Sequence, residues 1–464
     1  METYPLDAAL AAAFPGSVYA VGGRVRDEEM AAILGVPRRH KDSDYVVVGL
    51  SVDEVRRRLE ALGRVDLVGV SFAVFKLSAE GVTADVALPR RERSTGSGHR
   101  DFVVESGPEV TLEEDLGRRD FRMNMMARAL GTGALIDLYG GVEDIRWRRI
   151  DIVSERSFEE DPLRMLRAVQ FAARFEFALT PRTLAAMRAA APLVREVSAE
   201  RIADELTKLL TRADRPSQGF ELLRETGVLP HVWPELLEGY GVEQNEWHAY
   251  DVWHHAMATL DASRGDLVDR LAAVLHDVGK PRTKEGPTFY RHEIVGAEMA
   301  REMLSRLRFP GHVIDDVEAL VRHHMYHTSP EMTPGAVRRF IRRVGPERLE
   351  RLFALRAADV IGSGLPKRGD DNERFAQRVR TLLAARPPLG IADLAVGGRE
   401  VIALLERSGR VPHGYRGGPE VGAVLRYLLE QVTEEPDRNS PAVLLALAEA
   451  YLGAGAPFAQ SPET

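Results

Sequence analysis

The chain predicts an α+β protein: a small N-terminal mixed β-sheet followed by helices to the end. Up to about residue 145, short apolar runs alternate with helical pieces. Beyond Asp161 the apolar residues Leu163, Leu166, Ala168, Val169 and Ala173 recur at helical spacing. Size is the third observation. A chain of 464 residues exceeds one compact core, so three or four domains are expected.

Taken in order, Asp7 to Phe14 reads as a helix, Val18 to Val21 as a strand, Asp27 to Leu34 as a helix and Tyr45 to Val48 as a strand. Asp53 to Leu62 is an amphipathic helix, and Val68 to Leu77 and Val82 to Leu88 complete the sheet. Arg90 to Val110 has no apolar period and is rich in Gly, Ser and charge, which predicts a mobile loop. Pro162 follows acidic residues as a helix start, Pro181 opens the next helix, Ser198 caps another through Leu210, and Pro216 to Leu223 gives one more. A histidine-rich helical unit spans about 250 to 362. The rest is helical, with a Pro/Gly joint at Arg386 to Gly390 and a disordered end after Ala454.

Composition narrows the class. A hydrophobic share of 44% with 28% charged residues is that of a soluble globular protein, and the absence of cysteine excludes disulfides and thiolate metal sites. The N-terminus lacks a basic stretch with a long apolar core, and no run approaches the ~20 apolar residues of a membrane span. A cytoplasmic protein without membrane contact is therefore expected. The net charge of -8 is not that of a generally basic nucleic-acid binder, so any RNA surface must be local. The best stripe holds Arg164, Arg167, Arg174, Arg182, Arg188, Arg195 and Arg201.

Chemistry concentrates at VGGRVRD, Val21 to Asp27, and KDSDYVVVG, Lys41 to Gly49. Gly22 and Gly23, just after an apolar run, let backbone N–H groups approach a triphosphate with no Cβ in the way. Asp42 and Asp44, two apart on a strand, project to one face, and paired carboxylates suit Mg²⁺. Asp85 lies in the middle of the apolar strand VTADVAL, where an unpaired carboxylate is costly to bury. Three carboxylates on adjacent strands are what a two-metal site needs.

These runs, with LEEDLGRRDFRMN at Leu112 to Asn124, LIDLYGGVEDI at Leu135 to Ile145 and FEEDPLRMLRAVQFAARFEF at Phe158 to Phe177, resemble in order the class II tRNA nucleotidyltransferases and poly(A) polymerases of bacteria. Within them the chain resembles in particular the CCA-adding enzymes that carry an HD domain. The resemblance implies a nucleotidyltransferase head over 1–145, a helical neck and body over 146–245, an HD domain over 246–365 and a helical tail over 366–464. It makes Asp42, Asp44 and Asp85 the catalytic Mg²⁺ ligands. Gly22, Gly23, Arg26, Arg90, Asp115, Arg118, Arg119 and Asp120 would bind the nucleotide, with Asp161, Arg164 and Arg167 beside the base. On one helix Asp161 and Arg164 are three apart, so they should share a face and orient each other. Together they would read the amine and neighbouring acceptor that C and A share and U and G lack. Arg122 stands where the family has Thr, and Gln170 where it has Arg. The spacer from Asp27 to Asp42 is longer than the family's.

WHHAM at Trp253 to Met257, LHDVGK at Leu275 to Lys280, YRHE at Tyr290 to Glu293, VRHHM at Val321 to Met325 and AAD at Ala357 to Asp359 resemble the HD metal phosphohydrolases. His255, His276, Asp277 and Asp359 are the expected ligands, with His292, His323 or His324 supplying a second ion or holding phosphate. Imidazole and carboxylate suit Mg²⁺, Mn²⁺ or Ni²⁺. The resemblance implies an enzyme that adds or repairs the CCA end of tRNA from CTP and ATP, touches the acceptor stem and elbow, and has phosphatase or 2′,3′-cyclic phosphodiesterase activity on RNA ends. An A-adding or CC-adding enzyme, a poly(A) polymerase, or an HD hydrolase with an RNA-binding head are the alternatives, and monomer or dimer stays open. The long Arg90 to Val110 loop argues against a CC-only product.

Overall fold

Strand residues that alternate between core and surface build the N-terminal sheet. The computed structural model describes residues 4–37, 43–68, 74–94, 102–366 and 370–454. Two units are separable, Met1–Glu238 with Met303–Phe309, and Gly239–Glu302 with Pro310–Thr464. The expected disordered end after Ala454 lies outside the described residues.

In the first unit, helix α1 (Asp7–Ala13) leads to β1 (Val18–Val21), α2 (Gly23–Leu34), β2 (Asp44–Val47) and α3 (Val52–Glu60). Strands β3 (Arg64–Val68), β4 (Val74–Ala79), β5 (Val82–Ala87), β6 (Arg90–Ser94) and β7 (Phe102–Ser106) follow. Helix α4 (Leu112–Gly117), β8 (Met126–Ala129), β9 (Leu135–Asp137) and α5 (Gly141–Arg146) complete the head. Seven of the described strands pair in the order β3-β4-β5-β2-β1-β8-β9. Only β2 and β5 run parallel, which makes the sheet mixed.

Several boundaries differ from expectation. The apolar text of Val68 to Leu77 is not one strand: Val68 ends β3 and Val74 begins β4, its antiparallel neighbour. The Arg90 to Val110 segment carries an antiparallel ribbon, β6 (RRERS) with β7 (FVVES), hidden because the one is polar and the apolar run of the other is too short to show a period. Strands β8 and β9 were missed because MARA and LID are too short to show a period. Helix α2 starts at Gly23 rather than Asp27, and Arg24, Val25, Arg26 and Asp27 are all buried in it.

Helices then take over: α6 (Ser157–Glu160), α7 (Leu163–Phe175), α8 (Pro181–Ala190), α9 (Ala199–Arg212) and α10 (Ser217–Glu225). Helix α7 packs on α9 and α10 and buries nearly every residue. Phe171 stacks on Phe175, and the Arg26 guanidinium lies 4.7 Å from the Phe175 ring centre, tying the head to α7. Thr180 caps α8 with a bond from Thr183 N–H, whereas the Ser198 side chain, expected to cap α9, makes no cap bond.

The second unit holds α11 (Val252–Ala262), α12 (Leu267–Leu275), α13 (His292–Arg306, whose last turn belongs to the first unit), α14 (Gly311–His323), α15 (Pro334–Val344) and α16 (Leu349–Gly362). Helix α11 packs along α16, and α12 against α14 and α16. A Cβ at Gly279 would stand 2.4 Å from the His292 carbonyl oxygen, so only glycine lets the turn after α12 approach the start of α13. Helices α17 (Asp371–Ala384), α18 (Gly398–Arg407), α19 (Pro419–Glu434) and α20 (Pro441–Gly453) end the chain, and the last three share a core around Leu405, Val424, Leu428 and Leu444. Arg338 on α15 donates to the Thr433 and Glu434 carbonyls, closing the C-terminal end of α19. No helix among the described residues is long and apolar enough to cross a membrane.

Candidate active sites

The head site starts from β-sheet register. Asp44 on β2 is the direct partner of Asp85 on the parallel strand β5, so both carboxylates leave the same face of the sheet. Both are exposed, which corrects the expectation that Asp85 is buried: the strand alternates, and its apolar residues Ala84 and Val86 take the core side. Asp42 lies outside the described residues. An exposed pair of like charges in register on one face suits a divalent cation, with oxygen as the only donor type, the choice of Mg²⁺.

Gly22 adopts φ +70°, a region closed to most residues, and turns β1 into α2. A Cβ there would stand 3.0 Å from Arg119 Nη1 and 3.8 Å from Asp44 Oδ2. The first-turn N–H groups of α2 open beside these residues, with the positive end of the helix dipole. Gly22, Gly23, Arg26, Asp44, Arg118, Arg119, Asp120, Asp161, Arg164 and Arg167 all line one cleft of about 490 Å³. It holds nine Arg and Lys side chains against four carboxylates, a local positive site in a negatively charged protein. Arg174 and Arg201 of the expected stripe are among them.

Asp115 stays out of the cleft and organises its wall. It accepts from Arg118 Nη2 at 2.9 Å, Arg119 Nη2 at 3.0 Å and the Arg90 N–H at 3.2 Å. Burial pushes its carboxyl up, but the Arg119 and Arg118 guanidiniums prevail and hold it below the usual range. Asp120 likewise accepts from Arg167 Nε at 2.8 Å and Asn124 Nδ2 at 2.8 Å, while Arg26 Nη1 donates to Asn124 Oδ1 at 2.9 Å. Asn124, which the sequence reading passed over, thus couples Arg26 to Asp120. Arg122 is an anchor: it donates to the Tyr139 carbonyl at 2.6 Å and to Asp151 Oδ2 at 3.0 Å.

Asp161 and Arg164 do not orient each other as expected. Asp161 is extended, between α6 and α7, and the Arg164 N–H donates to its carbonyl at 3.0 Å, but the two side chains take other partners. Arg164 Nη1 donates to Ser157 Oγ at 2.9 Å and Glu160 Oε2 at 3.2 Å, and its Nη2 to the Arg118 carbonyl at 2.6 Å. The Asp161 carboxylate accepts instead from Arg201 Nη2 at 3.2 Å and the Leu163 N–H at 3.2 Å. Each is fixed by other partners, and both face the cleft.

The histidine site is built on helix ends. His255 comes from the middle of α11, His276 and Asp277 follow α12, His292 begins α13, His324 follows α14 and Asp359 lies near the end of α16. His255 Nε2 stands 3.1 Å from His276 Nε2 and 3.2 Å from both Asp277 Oδ2 and Asp359 Oδ1. Asp277 Oδ1 faces His292 Nε2 at 3.3 Å and His324 Nε2 at 3.6 Å. Asp277 therefore bridges two groups of donors.

These atoms fit divalent ions. Donors held about 2.1 Å from one ion stand roughly 3.0–3.4 Å apart, the spacing found here. His276, His292 and His324 each place Nδ1 at 2.7–2.9 Å from a backbone carbonyl, of Ala273, Phe289 and Val321, which turns Nε2 inward as an acceptor. Lys280 Nζ lies 2.6 Å from Asp277 Oδ2 but hydrogen-bonds Gln244, so this buried carboxylate oxygen accepts no bond of good geometry. Burial acts to raise the Asp277 and Asp359 carboxyls, yet the neighbouring histidines, with Lys280 at Asp277, hold both below the usual range. Burial opposes charging of His255, but the Asp277 and Asp359 carboxylates beside it lift it to about 9.

Of the alternatives His323 and His324, the structure brings the second to the cluster. Among the described residues His323 has no place in the cluster and sits near Arg343, Arg322 and Arg348. His248, missed in sequence, joins His255 and Asp359 as a third donor group. Its Nδ1 lies 3.0 Å from Asn245 Oδ1, and burial with Lys280 nearby lowers it to about 3, so the ring is neutral. Nothing in its text, EWHAY, marks it.

Residues 18–151 match the family described as the "Poly A polymerase head domain", residues 176–239 the "Probable RNA and SrmB- binding site of polymerase A", and residues 248–362 the "HD domain". Head and cleft thus define a nucleotidyltransferase that carries a second, histidine-based centre. The multifunctional CCA protein of Cupriavidus metallidurans is 39% identical over 81% of this chain and 91% of its own, and that of Verminephrobacter eiseniae 35% identical over 88% and 96%. The CCA-adding enzyme of Bacillus stearothermophilus, solved in complex with CTP, shares the fold with a TM-score of 0.68 at 24% identity over 98% of this chain and 99% of that one. The chain belongs to the multifunctional CCA protein family.

Proposed function

We propose that this enzyme adds and repairs the 3′-terminal CCA of tRNA from CTP and ATP without a nucleic-acid template. The observation that carries the reading is that Asp44, Arg119, Asp161 and Arg164 line one cleft, so a strand-borne carboxylate and the base-reading side chains can address the same nucleotide. Asp42, Asp44 and Asp85 would hold Mg²⁺, which supplies charge neutralisation at the triphosphate and a more acidic attacking hydroxyl. The N-terminus of α2, Arg118 and Arg119 take the phosphates, and Gly22 lets them approach. The RNA 3′-hydroxyl oxygen then bonds the α-phosphorus, the bond to the β-phosphate bridge breaks, and pyrophosphate leaves. Asp161 accepts from the exocyclic amine of C or A while Arg164 donates to the neighbouring ring acceptor, a pairing U and G do not offer. The remaining arginines of the cleft hold RNA phosphate.

The histidine cluster is a second active site, a phosphatase or 2′,3′-cyclic phosphodiesterase for RNA ends. His255, His276, Asp277 and Asp359, with His248 beside them, would hold one ion and Asp277, His292 and His324 a second. Mg²⁺, Mn²⁺ or Ni²⁺ there supplies Lewis acidity and a water of lowered pKa. Lys280 and Arg356 line the same cavity and meet the phosphate charge. The division of labour is a head over 1–145, neck and body over 146–245, HD domain over 246–365 and tail over 366–464.

Chelation tests both halves. Removal of divalent ions abolishes nucleotide incorporation and phosphate release; Mg²⁺ restores the first, and comparison of Mg²⁺, Mn²⁺ and Ni²⁺ identifies the ion of the second. Incorporation that survives chelation contradicts the carboxylate assignment.

A further inference from the structure

The cavity over the histidine cluster holds about 560 Å³, and its mouth is apolar. Trp247, Tyr290 and Met325 line it, exposed at 63%, 76% and 51%. Each stands one or two residues from a histidine of the cluster: His248, His292 and His324 respectively. Large apolar side chains gathered in water around one polar cavity mark a ligand surface.

The two aromatic residues are set on ordered backbone. The Trp247 N–H donates to Asn245 Oδ1 at 3.2 Å, and the His248 N–H to the Asn245 carbonyl at 3.1 Å. Tyr290 follows the short hairpin of Lys284–Glu285 with Thr288–Phe289, whose Phe289 carbonyl faces His292 Nδ1 at 2.7 Å. Among the described residues neither ring stacks on another ring, so two exposed π-faces stand beside donors and cations suited to a phosphate. A bare phosphate leaves most of the cavity empty, whereas pockets of ~300–1,000 Å³ hold molecules of nucleotide size.

We propose that Trp247 and Tyr290 form a stacking platform that makes the histidine centre prefer phosphate carried on the nucleoside of an unpaired RNA 3′ end. The proposal rests on the hydrolase reading above. The platform holds the base while Lys280 and Arg356 meet the phosphate. In hydrolysis the phosphorus–oxygen bond to the ribose breaks, the oxygen of water bonds phosphorus, and its proton returns to the ribose hydroxyl. Because every base presents a π-face, the preference is for an unstacked base and not for a sequence.

The test uses the full chain loaded with Mn²⁺. Adenosine 2′-phosphate and glycerol 2-phosphate, which lacks a base, are compared in kcat/KM and, by calorimetric titration, in Kd. Trp247→Ala and Tyr290→Ala should each lower the adenosine-to-glycerol ratio by about tenfold, the range of one base–aromatic stack, and Trp247→Phe should restore most of it. Equal losses on both esters, or a ratio within about twofold of the unaltered chain, overturn the platform. If the unaltered chain hydrolyses neither ester, the hydrolase reading fails, and the titration alone decides: adenosine 2′-phosphate binding weakened about tenfold by Trp247→Ala supports the platform, and unchanged binding overturns it.

Discussion

The two centres of this chain solve the problem of holding phosphate and metal in opposite ways. At the head, Asp44 and Asp85 are exposed on one sheet face, and Asp44 shares its cleft with Arg118, Arg119 and Arg164, which already have carboxylate or carbonyl partners. At the histidine centre, His255, His276, Asp277 and His324 are buried, and three imidazoles are turned inward by backbone carbonyls. An exposed carboxylate pair is well hydrated and takes its ions weakly until a triphosphate adds oxygen ligands; a buried, oriented donor set binds ions on its own. On the function proposed above, the head would take an exchanging nucleotide–metal pair, whereas the histidine centre would keep its ions resident.

Separate replacements should therefore separate the activities. Asp44→Ala should lower incorporation of both CTP and ATP on the order of a thousandfold or more, with phosphate release from RNA ends unchanged. Loss of both activities in that variant would break the division into independent centres. Asp277→Ala should abolish phosphate release and, by elemental analysis, remove both ions, while incorporation stays intact. Retention of one ion would mean that Asp277 does not bridge. Arg164→Ala should reduce discrimination against UTP and GTP by about tenfold or more, the worth of one base-edge contact, and slow CTP addition less than Asp44→Ala does. Unchanged fidelity would remove Arg164 from base reading. The smallest effect sharpens the comparison: His323→Ala should leave ion content within error, and His324→Ala should lower affinity for the second ion.

The mixed sheet and the switch to helices were legible because burial leaves a period of two or of three to four in the text, and most members of the histidine cluster because they resemble a known pattern. What escaped was set by geometry that the text does not carry. In the Arg90 to Val110 ribbon β6 is polar and the apolar run of β7 is only three residues long, so no period announces either strand. Asp161 and Arg164 share a cleft, but a break between α6 and α7 gives them Arg201 and Glu160 as partners, which spacing along one helix does not foresee. His248 enters its cluster from outside any helix, and the choice of His324 over His323 depends on which way the end of α14 faces. Departures from the family pattern were easy to see and harder to interpret: Arg122 proves to hold the turn at Tyr139 and Gly140.

The most direct test is sequencing of RNA 3′ ends after reaction of the purified chain with Mg²⁺, CTP and ATP. Transcripts of one tRNA would end at the base before CCA, at C and at CC. All three should finish at CCA and stop there. Addition of A only, to the transcript ending in CC, or long A tails on every RNA would contradict the account.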